Sequence, residues 1–344
     1  MKAAIMNGIR QVGIEEIPQP EIRPDQALVA IRAVGVCGSD IHYYTHGRIG
    51  DYVVNPPFIL GHECAGVIVE VGSQVTNVAP GDRVAVEPGV PCRRCVFCKQ
   101  GRYNLCRDVV FLATPPVNGA FAEYIAHAAD FLYKLPDNAS FNDGAMCEPL
   151  STGMQAVNRS GLRMGDSVFV AGVGPIGLMT LQAFRAAGAG AVYVSDLDTS
   201  RLELAKKLGA TTVFQANDAD LISELRDLTD GLGPDIVVET AGSERATAQS
   251  IDIVRPGGVV VLVGLAPTAG VEMNTLAAID KEIDIRGVFR YANTYPAALS
   301  MIARGTIDVT SMVTAEYPFE DTDRALSDVA DRLPGIVKAV VTNE

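Results

Sequence analysis

One stretch constrains the fold of this chain more than any other: Val168-Phe169-Val170-Ala171-Gly172-Val173-Gly174-Pro175-Ile176-Gly177. A continuous apolar run of the kind that forms a fully buried strand passes into a glycine loop and then into a helical stretch over 177–187. The G-x-G-x-x-G pattern alone is weak in a chain with 33 glycines. Its context makes it specific, because Asp196 closes the next apolar run, nineteen residues after Gly177. In a dinucleotide-binding unit Gly172 makes the tight turn, Gly174 lets the backbone reach a pyrophosphate, and Gly177 lets the helix pack against the strand. The helix start then offers unpaired N–H groups to the diphosphate. Asp196 is placed to accept hydrogen bonds from the adenosine ribose and to repel a 2′-phosphate, which favours NAD over NADP. Arg201, five residues on, works against that preference if it pairs with a phosphate.

The same rhythm continues through Ala191–Val194, Asp235–Val238, Gly258–Val263 and Ile283–Val288 as strands, with a helix over Ser200–Leu208. Strand and helix alternating at this spacing predict a parallel α/β sheet covered on both faces. The first 150 residues read differently. They hold all seven cysteines and all four histidines, with short apolar runs such as Ala27–Ile31 and Gly66–Val71 between turn signals such as Pro80-Gly81-Asp82. That pattern predicts an antiparallel β-rich unit, a partly open barrel being one form of it. Near the C-terminus Tyr295–Ala303 and Asp321–Ala330 read as helices, and Ile336–Val341 as a strand returning to the first unit.

At 344 residues the chain is long enough for two domains with real cores. Its net charge of −13 argues against nucleic-acid or anionic-membrane partners. No stretch of eighteen apolar residues runs uninterrupted, and the N-terminus lacks the pattern of a secretory signal, so a soluble cytoplasmic protein is expected.

An odd number of cysteines in such a chain points to metal ligands or buried thiols before disulfides. Cys92, Cys95, Cys98 and Cys106 lie within fifteen residues, among Arg93, Arg94, Lys99 and Arg102. Four soft ligands at close spacing, with basic neighbours to favour thiolates, suit a closed structural zinc site. A second group is more scattered: Cys37, the pair His62-Glu63, and Glu148. Each alone has an ordinary explanation as a core thiol, a hydrogen-bonded histidine or a helix-start acid. Together they offer the mixed S, N and O ligands of a catalytic zinc that keeps one position open.

The motifs Val36–Tyr43, Gly47–Asp51, Gly61-His62-Glu63, Gly81–Ala85, Glu148–Ser151, Gly174–Gly177 and Gly287–Tyr291 run nearly from end to end. Through them the chain resembles the zinc-dependent medium-chain dehydrogenases. Gly47-Arg48-Ile49-Gly50 and Phe289-Arg290-Tyr291 are more typical of the sorbitol/xylitol (polyol) branch. The resemblance implies a Rossmann doubly wound parallel sheet over 154–290, with a β-rich GroES-like catalytic domain formed by 1–153 and 291–344. It implies a catalytic zinc on Cys37, His62 and Glu63, with Glu148 as fourth ligand or reaching the metal through water. Alcohol dehydrogenases carry a cysteine ligand at the Glu148 position, so Cys147, one residue away, is an alternative, with Glu148 favoured. Ser39 and His42 would carry the hydroxyl proton away, or it would leave through the zinc-bound water and Glu148. Tyr43, Glu148, Arg290 and Tyr291 would bind the substrate, while Ile176, Asp196, Arg201, Val263, Leu265 and Val288 would bind the cofactor. All four knuckle cysteines are present here, whereas animal sorbitol dehydrogenases lack most of them, which implies a chain with two zinc ions.

The activity so implied is oxidation of a polyol to the ketose with NAD+ as hydride acceptor, in a homo-oligomer, with a tetramer favoured. The nearest alternatives are a zinc dehydrogenase of 2,3-butanediol, threonine or a sugar acid. From a different class comes a non-catalytic NAD(H)-binding protein, which would be expected to have lost the open-site ligands.

Overall fold

The strand Gln26–Gly35, with nine of its ten residues buried, organises the first of two units. It pairs antiparallel with Glu63–Val71, Tyr124–Ala128 and Lys338–Thr342. Burial on both sides explains its nearly unbroken apolar sequence. Ala27, Val29 and Ile31 enter the main core with Ile68, Phe121 and Leu326. An irregularity between Ile31 and Ala33 shifts the register, and Ala33 packs instead with Ala145 and Val340.

The C-terminal run forms a strand, Lys338–Thr342, and does join the first unit. Its other neighbour, Val313–Pro318, runs parallel to it, so the seven-stranded sheet is mixed and not the purely antiparallel unit expected. The helix Thr322–Ala330 lies between these two strands in sequence and returns the chain to the same end of the sheet, as parallel pairing requires. A smaller sheet joins Lys2–Gly8 to Gln11–Glu16 and Phe58–Ile59.

The second unit is a six-stranded sheet in the order Thr212–Gln215, Ala191–Asp196, Ser167–Ala171, Ile236–Glu239, Val259–Leu262, Asp284–Gly287. Every pairing in it is parallel. Val168, Val170, Val194, Val237, Val238, Val260 and Val261 are fully buried, which accounts for the apolar runs of the sequence. From Ser167–Ala171 the chain first builds outward through Ala191–Asp196, then returns to add Ile236–Glu239 on the other side. The C-terminal edge at that reversal is where open α/β sheets bind ligands.

The computed structural model describes residues 1–266 and 270–343. The first unit comprises Met1–Glu148, Tyr295–Gly305 and Val309–Glu344, and the second Pro149–Thr294 and Thr306–Asp308. The divisions thus fall at 148/149 and 294/295, a few residues from the sequence-based 153/154 and 290/291. The short excursion at 306–308 is held by Gln182, which donates to the Asp308 carbonyl (3.0 Å) and accepts its N–H (2.7 Å). Among the described residues no helix is long and apolar enough to cross a membrane.

Candidate functional site

Cys37 caps the helix Gly38–His46, directly after the central strand of the first unit. Its N–H donates to Asp40 Oδ2 at 3.0 Å, closing the first turn. The other oxygen of Asp40 accepts the N–H of Gly61 at 2.9 Å and lies 3.6 Å from His62 Nδ1. Asp40, fully buried, therefore fixes the two segments against each other. The result is a tight group in which the ligand atoms of Cys37, His62 and Glu63 all lie within 4.8 Å of one another.

Glu63 opens the strand Glu63–Val71, and its Oε2 faces Lys338 Nζ from the C-terminal strand. The ammonium also donates to the Val36 carbonyl at 2.9 Å. Burial alone would lower the Lys338 pKa, but the Glu63 carboxylate beside it outweighs that and holds it above its ordinary value. Oε1 of Glu63 is buried with no hydrogen-bond partner among the described residues. Room for this carboxylate depends on Gly35, where a Cβ would collide with Glu63 Oε2. A thiolate, an imidazole and a carboxylate with an unsatisfied buried oxygen fit a zinc ion with an open position.

Glu148, buried in the first turn of the helix Cys147–Ser160, acts electrostatically on Lys338, Cys64 and Glu87 but lies outside the tight group. Cys147 is outside it as well; its Sγ is 3.9 Å from the Tyr295 carbonyl, in the core. Ser39 and His42 are half-buried on the helix that Cys37 caps. Burial, and then the nearby His46, lowers the His42 pKa. Tyr43 is packed into the core of the first unit.

The four knuckle cysteines also converge, with ligand atoms within 4.8 Å of one another. The Cys95–Cys98 and Cys92–Cys98 sulfur separations are 3.4 and 4.0 Å. Tetrahedral zinc with Zn–S bonds of about 2.3 Å places its sulfurs about 3.8 Å apart, so the group fits a closed site. The lobe is moored at two points. Arg93 donates twice to Asp130, at 2.9 and 2.6 Å. Tyr103 donates to Glu87 Oε1 at 2.7 Å, while Tyr133 donates to Oε2 at 2.9 Å. Burial pushes the Glu87 carboxyl up to about 7, against the pull of both hydroxyls.

In the second unit Gly172 has φ +91°, a conformation that favours glycine. A Cβ on Gly177 would collide with the Gly172 carbonyl oxygen, so helix and loop pack closely only with glycine there. Asp196 ends its strand and accepts the N–H groups of Val173 (2.7 Å) and Asp198 (2.9 Å), which fixes its carboxylate beside the loop. Arg201 Nη1 lies 3.9 Å from where a Cβ on Gly174 would stand, so its charge borders the same loop. Ile176, Val263 and Val288 are half-buried and Leu265 is exposed. Arg290 takes φ +52° with its guanidinium 4.8 Å over the Phe289 ring, and Tyr291 is buried.

The sequence reading missed Asp40, Lys338 and Glu87. Asp40 was findable as the residue three after a helix cap. Lys338 was findable as a charge inside an apolar strand, which demands a buried partner.

Two family models match the chain: "Alcohol dehydrogenase GroES-like domain" over residues 23–137 and "Zinc-binding dehydrogenase" over residues 175–304. The sorbitol dehydrogenase of Bacillus subtilis is 49% identical over 326 residues, 95% of this chain and 92% of that one. A probable D-xylulose reductase A of Aspergillus clavatus is 41% identical over 333 residues, 94% of this chain and 92% of that one. Among solved structures, an Escherichia coli oxidoreductase/dehydrogenase of unknown specificity superposes with a TM-score of 0.95 at 40% identity, covering 100% of this chain and 99% of that one.

Proposed function

Because the chain belongs to the zinc-dependent medium-chain dehydrogenases, in their polyol branch, we propose that it oxidises a polyol such as sorbitol or xylitol to the ketose with NAD+ as acceptor. The observation that carries this reading is the tight group of Cys37, His62 and Glu63, whose donor set suits a catalytic zinc with an open position. A carboxylate in place of a second thiolate keeps the site polar, as a polyhydroxylated substrate requires.

When bound, zinc supplies the Lewis acidity that makes loss of the alcohol proton accessible near neutral pH. Cys37, His62 and Glu63 hold it, and Asp40 orients the segments that carry them. Glu148, buried outside the tight group, would serve as a fourth ligand or reach the metal through water. Ser39 and His42 take the proton outward; burial lowers the His42 pKa and so favours a neutral imidazole that can accept it. Tyr43, Arg290 and Tyr291 are assigned to the substrate's hydroxyls. Cys92, Cys95, Cys98 and Cys106 hold a second, structural zinc.

The nucleotide is assigned to Gly172, Gly174, Ile176, Gly177, Asp196, Arg201, Val263, Leu265 and Val288. The carboxylate of Asp196 favours NAD over NADP. A homo-oligomer, with a tetramer favoured, is supported by the edge strand Asp284–Gly287, where Ile285 is exposed, and by exposed Leu276 and Ile279 on the helix Thr275–Asp280. Five cysteines assigned to metal sites and two buried thiols, Cys64 and Cys147, support a cytoplasmic location.

The test is reduction of NAD+ against a panel of polyols, 2,3-butanediol, threonine, idonate and simple alcohols, each with and without a zinc chelator. Chelator-sensitive turnover of sorbitol, xylitol or their stereoisomers is expected. Turnover confined to butanediol, threonine or idonate would overturn the substrate assignment, and NADH binding without any turnover would overturn the catalytic one.

A further inference from the structure

The C-terminal edge of the second unit's sheet carries a buried carboxylate that the proposed mechanism does not use. Glu239 is the last residue of the strand Ile236–Glu239 and is 1% exposed. Its Oε1 accepts the N–H of Gly242 at 2.8 Å, in the loop that follows its own strand. Its main-chain carbonyl accepts Val263 N–H at 2.9 Å and Gly264 N–H at 3.0 Å, in the loop after Val259–Leu262. A Cβ on Gly264 would collide with the Gly242 backbone N and stand 2.6 Å from Oε2. The two loops therefore close on the carboxylate with no space to spare. Burial raises the Glu239 pKa, and the amides of Gly242, Ala241, Ser243 and Gly264 pull it back.

The next residue faces the other way. Thr240 donates its N–H to the Ala171 carbonyl at 2.9 Å and its hydroxyl to the Gly172 carbonyl at 2.6 Å. Successive residues thus lace three loops together: Thr240 holds the glycine loop, and Glu239 holds the loop of Val263 and Gly264. The topology gives this order a direction. Asp196 ends the strand on one side of Ser167–Ala171, and Glu239 ends the strand on the other. A dinucleotide whose adenosine lies by Asp196 and whose diphosphate lies on the glycine loop must extend its second half over the loops that Glu239 joins.

We propose that Glu239 is a positioning residue for the nicotinamide half of the cofactor: its buried carboxylate, on Gly242, and its main-chain carbonyl, on Val263 and Gly264, together fix the two loops on which that half rests. This rests on the nucleotide assignment made above. Glu239→Gln keeps one acceptor oxygen and turns an N–H2 toward amide donors, so it loosens the loops while preserving size.

The test compares NADH, by fluorescence titration, with ADP-ribose, by calorimetry, on the zinc-loaded full chain. Glu239→Gln is expected to weaken NADH about tenfold, as loss of a charge-assisted hydrogen bond implies, while ADP-ribose changes less than about twofold. A second variant, Gly264→Ala, drives a methyl into the Gly242 backbone as well as Oε2, so it parts the same two loops without removing the carboxylate, and it is expected to give the same selective loss. It serves as the test if Glu239→Gln fails to fold. Unchanged NADH affinity in the variants would overturn the proposal, and so would equal weakening of both ligands, which is the mark of general damage to the sheet. If the unaltered protein bound neither nucleotide, the nucleotide assignment itself would fall, an outcome distinct from either.

Discussion

Lys338 and Glu63 form an ion pair from which water is excluded, their side chains being 2% and 1% exposed. The pair links the last strand of the chain to the candidate metal ligands, and the Lys338 ammonium is further held by the Val36 carbonyl, one residue before Cys37. A buried charge is tolerated only with its partner in place, so the pair is expected to matter more for integrity than its single contact suggests.

Lys338→Met leaves the Glu63 carboxylate buried without a counter-charge. In the metal-free protein this is expected to cost about 3–5 kcal/mol of unfolding free energy. Adding Glu63→Gln removes the stranded charge and should restore much of the loss. Chaotrope unfolding of the two variants checks this; a double variant no more stable than Lys338→Met would refute the charge argument.

Cys98→Ser breaks the knuckle without touching Cys37, His62 or Glu63. Bound zinc is expected to fall from two ions per chain to one, with a fall of about 5–10 °C in Tm. NADH binding should be retained. Metal analysis beside a melting curve checks it, and an unchanged Tm would argue against a structural role for the lobe.

Asp196→Asn removes the charge that opposes a 2′-phosphate while keeping an oxygen for the Val173 N–H. The ratio of kcat/KM for NAD+ over NADP+ is expected to fall by about tenfold, the Arg201 guanidinium beside the glycine loop then being free to favour phosphate. An unchanged ratio would show that the preference is set elsewhere.

Glu87 titrates higher in the fold than in the unfolded chain, about 7 against 4.5, because it is buried. The folded state therefore binds the extra proton, and this contribution to stability is complete below about 4.5 and lost as pH rises toward 7. Glu87→Gln lacks that dependence. Relative to the unaltered protein it should gain stability between pH 4.5 and 7, by roughly 3 kcal/mol across the window. His127, lowered to about 4 by burial, acts in the opposite sense in both proteins and drops out of the difference. Unfolding midpoints at several pH values check this; a constant difference would refute it.

The nucleotide-binding sheet could be read from the sequence because its strands are buried on both faces, so Val168–Ala171 and Ile236–Val238 appear as unbroken apolar runs. Thr212–Gln215 escaped notice because it is an edge strand, only Phe214 of its four residues being fully buried. The knuckle was visible because its four cysteines are close in sequence. Cys37 and His62 are far apart along the chain, and spacing alone could not join them; the bond from Gly61 to Asp40 that brings them together exists only in the fold. The parallel pairing of Val313–Pro318 with Lys338–Thr342 was hidden for a related reason, since alternation reports a strand but not its direction.

The most direct measurement is zinc content, NADH affinity and polyol turnover together, on the unaltered chain and on His62→Ala. If Cys37, His62 and Glu63 hold the catalytic zinc, the variant keeps one zinc per chain and binds NADH within about twofold, while polyol turnover falls by about a thousandfold or more. Turnover that survives in His62→Ala, or two zinc ions retained there, would contradict the assignment.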